Sequence, residues 1–154
     1  MMKKILSLAT AALLLAGSLI SCGGKTGGSS DTIKIGGVGP TTGGAASYGT
    51  SVKNGASLAV KEINDAGGVN GLKLELSFED DENDPEKAVN AYNKLKDSGM
   101  QILMGTVTST PCKAVKDNAH DDNMFLLTPS GSAVECTKYD NAFRICFNDP
   151  DQGT

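Results

Sequence analysis

Residues 32–44 read TIKIGGVGPTTGG, an alternating apolar run that passes directly into a loop of glycine, proline and threonine. The apolar run predicts a first β-strand over Thr32–Val38, because alternate residues of a strand share one face. Beyond the loop, apolar residues between Thr50 and Ala66 recur at spacings of four, three and four, which places them on one face of a helix. A strand, a glycine-rich loop and a helix in this order predict an α/β domain.

The rest of the chain continues this alternation. Residues 72–79 alternate apolar with polar or charged side chains, which is typical of a strand with one solvated face. Asp84 followed by Pro85 is the start signal of a second helix, which Gly99 ends. The later elements are predicted as a strand at Ile102–Met104, a helix from Ser109 or Thr110 to about Asp122, strands at Met124–Leu127 and Ala142–Phe147, and a helix that starts at Asp149.

The order βαβαβαββ implies parallel strands joined by right-handed crossovers. With the half-solvated second strand at an edge, the prediction is a doubly wound parallel sheet of order 2-1-3-4-5. Ligands bind such sheets at the carboxyl ends of the strands, near the switch point between strands 1 and 3.

The N-terminus has the pattern of an export signal. Lys3 and Lys4 precede an apolar stretch from Ile5 to Ile20, which is shorter than a membrane span of about 20 residues. The stretch ends in LISC, which resembles the lipobox of bacterial lipoproteins, so Cys22 is the predicted lipidation site and membrane anchor. A plain signal peptide with an incidental cysteine is the alternative. The predicted division is a signal peptide over 1–21, a flexible tether over 22–31 and the binding domain over 32–154.

Composition and charge exclude several classes of function. The 154 residues allow one domain, and 18 acids against 14 basic residues give a net charge of −4, so no nucleic-acid partner is expected. The single histidine, His120, has no companion at metal-ligand spacing, and Ala45-Ala46 replace the residues that a phosphate-binding loop needs. We therefore predict no cofactor and no metal.

Three loops converge at the predicted ligand end of the sheet: residues 39–49, 105–110 and 128–132. They are rich in hydroxyl groups and contain no charged side chain. Hydroxyls donate and accept hydrogen bonds, and a helix start near Ser109 suits an anion, so a small zwitterion such as an amino acid fits best. The loops hold no acid–base pair, which argues against an enzyme. The alternative is that these serines and threonines only form turns.

A series of motifs carries a family resemblance, in the family's order: IGGVGPTTG at 35–43, YG at 48–49, EINDAGGVNG at 62–71, Asp80-Asp81 with Asp84-Pro85, GTVTST at 105–110, TPSGS at 128–132, Phe143-Arg144 and DQG at 151–153. They are similar to the Leu/Ile/Val-binding receptors of branched-chain amino-acid ABC importers. The resemblance implies the first lobe of a two-lobed type I periplasmic-binding-protein fold, an extracytoplasmic location and an ABC permease as partner. A lobe of an extracytoplasmic sensor or receptor remains the alternative.

The resemblance also implies roles for four residues. Ser109 corresponds to the residue that binds the ligand carboxylate, and Ser130 to one whose backbone carbonyl takes the ammonium. Ser132 stands where the family often has a ligand-contacting threonine, and Tyr48 where an aromatic ring covers the apolar side chain.

The chain departs from the family pattern in two respects. Some members have a disulfide between the acidic loop and the residue before the binding serine, but Asn83 and Thr108 occupy these positions here. The family also uses two lobes, whereas this sequence reaches only the end of the first. It is therefore expected to be an N-terminal fragment that binds ligand weakly by itself.

Three cysteines remain besides Cys22. Cys112 follows the third strand and Cys136 follows the loop after the fourth, so neighbouring strands would bring both to one end of the sheet. We predict a Cys112–Cys136 disulfide with Cys146 reduced and buried in the fifth strand. Three unpaired thiols, or a pair that includes Cys146, are the alternatives.

Overall fold

The computed structural model describes residues 32–153. The predicted signal peptide over 1–21, the lipidation site Cys22 and the tether over 22–31 lie outside the described residues. No helix in residues 32–153 is long and apolar enough to cross a membrane.

Within residues 32–153, five strands alternate with three α-helices, and two 3-10 helices follow the fourth and fifth strands. The elements are β1 (Thr32–Gly39), α1 (Ala46–Asp65), β2 (Lys73–Asp80), α2 (Pro85–Asp97), β3 (Ile102–Gly105), α3 (Ser109–Asp121), β4 (Phe125–Thr128), the first 3-10 helix (Val134–Thr137), β5 (Ala142–Arg144) and the second 3-10 helix (Asp149–Gly153).

The strands form one parallel sheet of order β2-β1-β3-β4-β5. The predicted order is therefore confirmed. Ile35 of β1 pairs with Leu76 on one side and with Ile102 on the other, so the chain crosses from one edge of β1 to the other between β2 and β3. The carboxyl ends of β1 and β3 consequently flank the switch point that the sequence predicted.

Several element boundaries differ from the prediction. Helix α1 begins at Ala46 rather than Thr50, because its first turn is built from small and polar residues that carry no apolar periodicity. Gly49 is required there, since a Cβ atom would lie 1.9 Å from the carbonyl oxygen of Pro40. Strand β5 ends at Arg144, so Cys146 lies outside the strand and is half-buried rather than buried.

The two faces of the sheet are covered unequally. On the closed face, Leu103, Leu126 and Ala142 pack into one buried cluster with side chains of α2 and α3. The open face carries the alternate residues of β3, β4 and β5, all of which are half-buried or exposed: Ile102, Met104, Phe125, Leu127 and Phe143. Helix α1 lies over β2 on this side, where the Asn64 side chain bonds the backbone N–H and carbonyl of Leu74.

Candidate ligand-binding site

A cleft of about 270 Å³ opens at the carboxyl ends of the strands. It lies between the start of α1, the acidic loop after β2, the start of α3 and the loop after β4. Its lining residues are mostly small and polar: Ala45, Tyr48, Asn83, Thr108, Ser109, Thr110 and Ser130. No charged side chain lines it, so hydrogen-bonding groups rather than ionic side chains would have to recognise a ligand.

The N-terminus of α3 forms one wall of this cleft. Thr108 is the N-cap residue, but its hydroxyl makes no cap hydrogen bond and instead donates to Asn83 Oδ1 at 2.7 Å. The first N–H groups of a helix have no partner inside the helix, so those of Ser109 and Thr110 remain available. Unpaired N–H groups at the positive end of the helix dipole suit a carboxylate.

Hydrogen bonds fix Ser109 and Ser130, two of the predicted binding residues, at the cleft. Ser109 Oγ accepts the backbone N–H of Ala133 at 3.2 Å, which leaves its own hydroxyl hydrogen for a ligand. Ser130 Oγ donates to the carbonyl of Val107 at 2.6 Å and so ties the loop after β4 to the loop after β3. The role predicted for Ser130 uses its backbone carbonyl, which this hydrogen bond does not occupy.

Tyr48 stands at the rim of the cleft, in the first turn of α1. Its side chain is 62% exposed, so the ring is available to cover an apolar group placed against the serines. The structure thus brings together three of the four predicted binding residues, Tyr48, Ser109 and Ser130.

Ser132 is not among the residues that line the cleft. Its backbone carbonyl accepts hydrogen bonds from the Arg144 side chain at 3.1 Å and from the Asp149 N–H at 2.9 Å. Ser132 therefore anchors the loop after β4 to the segment after β5. Arg144 was not singled out from the sequence, and its position in the family-like pair Phe143-Arg144 was the only signal that could have identified it.

The acidic loop supports the cleft from the side. The Asp80 carboxylate accepts hydrogen bonds from the Thr41 N–H at 2.8 Å and the Thr42 hydroxyl at 2.6 Å. Burial acts to raise the pKa of Asp80, but the hydrogen bonds from Thr42, Glu82 and Thr41 outweigh it and hold the pKa well below its ordinary value. Asp80 thus fixes the glycine-rich loop after β1.

Asp81 differs from its neighbours in this acidic loop. It is fully buried, and one carboxylate oxygen accepts the Asn83 N–H at 2.8 Å. Burial raises its pKa. No pattern in the sequence indicates the burial of Asp81, because an acid within an acidic run is ordinarily exposed. Within residues 32–153, no group of three or more histidine, cysteine or acidic side chains is placed to hold a metal ion.

Cys112, Cys136 and Cys146 are free thiols in the structure, so the predicted Cys112–Cys136 disulfide is not formed in it. The two residues are nevertheless neighbours below the cleft floor and are both fully buried. Their thiols share a hydrogen bond, which lowers the pKa of Cys112 and, together with burial, raises the pKa of Cys136. The disulfide itself stays a prediction.

A larger hollow, of about 430 Å³, lies between α2 and α3 and contains none of the predicted binding residues. The smaller cleft is the one at which the strand-end loops meet the uncapped start of α3. The smaller cleft is therefore the better candidate for the binding site.

The chain is similar in sequence to known binding proteins. Residues 32–154 match the sequence profile of a family described as "Periplasmic binding protein". The Leucine-, isoleucine-, valine-, threonine-, and alanine-binding protein of Pseudomonas aeruginosa is 41% identical over 125 residues, which cover 80% of this chain and 34% of that protein. The Leu/Ile/Val-binding protein of Escherichia coli is 34% identical over the same length and also covers 80% of this chain and 34% of that protein.

The fold is shared with solved structures. A branched-chain amino acid transporter substrate binding protein of Streptococcus pneumoniae, in complex with isoleucine, superposes with a TM-score of 0.72 and 33% identity. The match covers 77% of this chain and 34% of that one. The chain therefore spans about a third of the length of the relatives that it matches.

Proposed function

The chain belongs to the periplasmic binding protein family, and from that premise we propose that it is the N-terminal ligand-binding lobe of an extracytoplasmic receptor for a small amino acid, of the Leu/Ile/Val type, that serves an ABC importer. The family is one of binding proteins, which supports ligand capture rather than catalysis. The named relatives are amino-acid-binding proteins or transporter components, and this favours an importer over a sensor.

The uncapped start of α3 is the observation that carries the proposal. The N–H groups of Ser109 and Thr110 and the hydroxyl of Ser109 would bind the α-carboxylate. The carbonyl of Ser130 would accept the ammonium from the opposite side of the cleft. A ligand held at both ends in this way would place its side chain toward the exposed ring of Tyr48.

The cleft also accounts for a preference for uncharged side chains. Its lining has no carboxylate or ammonium group that could pair with a charged ligand side chain. An aliphatic side chain against Tyr48 would instead be stabilised by burial of apolar surface. Leucine, isoleucine and valine meet both conditions.

We further propose that Cys22 carries the lipid anchor and that residues 22–31 tether the lobe to the outer surface of the cell membrane, where the ABC permease lies. The lysine pair, the apolar stretch and the LISC motif support this assignment. Globomycin, an inhibitor of lipoprotein signal peptidase, should cause a longer precursor to accumulate, and Cys22→Ser should abolish incorporation of labelled palmitate. Export of an unlipidated mature protein would contradict the anchor and leave the binding proposal untouched.

Binding can be tested by ligand-observed NMR, which detects weak complexes. L-Leucine should show saturation transfer from the protein, and isoleucine and valine should compete for the site. One lobe encloses only part of a ligand, so we expect an affinity weaker than micromolar for the chain alone. Ser109→Ala should weaken binding about 5- to 150-fold, which corresponds to about 1–3 kcal/mol for a hydrogen bond to a charged group.

Ser51→Ala is the matched control. Ser51 is an exposed serine of α1 that does not line the cleft, and its removal should leave leucine binding unchanged. Competition by a sugar or a polyamine in place of valine would overturn the proposed ligand class. Equal loss of binding in the two serine variants would overturn the proposed role of Ser109.

A further inference from the structure

Two buried cysteines are neighbours beneath the loops that carry the proposed binding serines. Cys112 is in the first turn of α3 and Cys136 is in the first 3-10 helix. Both are fully buried and belong to the same apolar cluster. The Cys136 sulfur lies 3.9 Å from the backbone carbonyl oxygen of Ser109. The pair therefore touches the residue at the centre of the candidate site.

The surroundings of the two sulfurs bring them together. The Cys112 thiol lies beside the Cys136 thiol. Gly131 permits this approach, because a Cβ atom there would lie 2.6 Å from Thr128 Oγ1 and 3.3 Å from the Cys136 sulfur. Cys146, by contrast, is half-buried after β5 and outside the cluster. The chain thus offers one adjacent pair and one separate thiol.

We propose that Cys112 and Cys136 are a disulfide-forming pair that joins the loop after β3 to the loop after β4. Both S–H bonds break and one S–S bond forms, while two protons and two electrons pass to an external disulfide, which becomes two thiols. Burial keeps oxidants away from the folded pair, so the exchange precedes closure of α3 over the 3-10 helix.

The bond would have a direct consequence for the cleft. Ser109 lies on the segment that holds Cys112, and Ser130 precedes Cys136 on the other segment. Joining the two segments fixes the distance between the groups that hold the two ends of the ligand, which preorganises the site. This consequence rests on the proposed function, whereas the bond itself does not.

Peptide mapping tests the bond without any ligand. Trypsin cleaves after Lys113, Lys116, Lys138 and Arg144, so the three cysteines fall on three different peptides. After refolding in oxidised glutathione and alkylation in denaturant, the Cys112 and Cys136 peptides should be recovered as one linked species, with Cys146 alkylated. Separate alkylation of Cys112 and Cys136 after refolding in the same oxidant would overturn the proposal.

A thermal measurement provides the second readout. Reductant added in denaturant before refolding should lower the melting temperature by on the order of 10 °C, since the bond closes a loop of about 25 residues. The Cys146→Ser control should show the same loss, and the Cys112→Ser/Cys136→Ser variant should show none. If reduction left the melting temperature of the wild-type protein unchanged, the proposed bond would be contradicted. If the double variant does not fold, the mapping of the wild-type chain still decides.

Discussion

The closed and open faces of the sheet are built from adjacent residues of the same strands but differ in what they contact. Leu126 of β4 is fully buried against α2 and α3, whereas its neighbours Phe125 and Leu127 point to the other side and are exposed or half-buried. On β5, Ala142 is buried and Phe143 is 48% exposed. The strands are apolar on both faces, but helices α2 and α3 cover only one of them.

The unequal cover of the two faces indicates which side of the sheet contributes most to the stability of the domain. Parallel sheets in α/β proteins are ordinarily covered on both faces, and a contiguous exposed apolar patch marks a contact surface. Within residues 32–153, only α1 lies on the open side, over β2. Substitutions on the closed face should therefore destabilise the lobe, and equivalent substitutions on the open face should not.

The largest expected difference between the two faces is in the free energy of unfolding of Leu126→Ala and Leu127→Ala. The first leaves a cavity in the closed cluster and should lower the free energy of unfolding by about 3 kcal/mol, within the range for buried leucine. The second removes a partly solvated side chain and should cost about 1 kcal/mol or less. Urea unfolding of both variants measures the two costs. Equal losses would show that the open face is covered in solution.

A smaller loss of stability is expected when the buried hydroxyl of Tyr92 is removed from the closed face. Tyr92 of α2 is fully buried, and its hydroxyl donates to the carboxylate of Asp122, at the end of α3, at 2.7 Å. Tyr92→Phe should cost about 1 kcal/mol, the usual net value of one hydrogen bond.

The cost of Tyr92→Phe should also depend on pH. Hydrogen bonds from Lys96 and Tyr92 lower the pKa of Asp122 below its ordinary value. The stability contributed by the carboxylate is therefore fully present above the unfolded pKa near 4 and is lost as pH falls through the lowered folded pKa. Urea titrations at pH 7 and pH 3 should show the difference between wild type and variant shrinking at the lower pH. A difference that grows on acidification would contradict the assigned hydrogen bond.

The sequence predicted the sheet order because each strand carries its own signal. The half-solvated alternation of β2 marked the edge, and the apolar runs of β3 and β4 marked central strands. Asp84 and Pro85 located the start of α2, where the Asp84 side chain accepts the N–H groups of Glu86 and Lys87. These signals are local in sequence, so they can be recognised without knowledge of the tertiary structure.

Other features depend on contacts that no local pattern reports. An apolar run shows that a strand favours cover on both faces, but it does not show whether residues 32–153 provide it. The burial of Asp81 and the anchoring of Ser132 by Arg144 both require segments that are distant in sequence to meet. Ser109, Ser130 and Tyr48 line one cleft because each follows or starts an element at the same end of the sheet.

The smallest effect on stability is expected at the aromatic pair of the open face. Phe143 stacks on Phe125 with ring centroids 5.2 Å apart, and the Phe125 side chain is 42% exposed. Phe143→Ser should cost less than about 1 kcal/mol, since the lost aromatic contact is offset by removal of apolar surface from water. The same variant should bind less of a hydrophobic dye such as ANS than wild type, because the dye reports accessible apolar surface. Ala142→Ser, at the neighbouring closed-face position, is the control: it should lower stability more and leave dye binding of the folded protein unchanged. If Phe143→Ser were instead the more damaging of the two, the open face would have to be part of the lobe's own core.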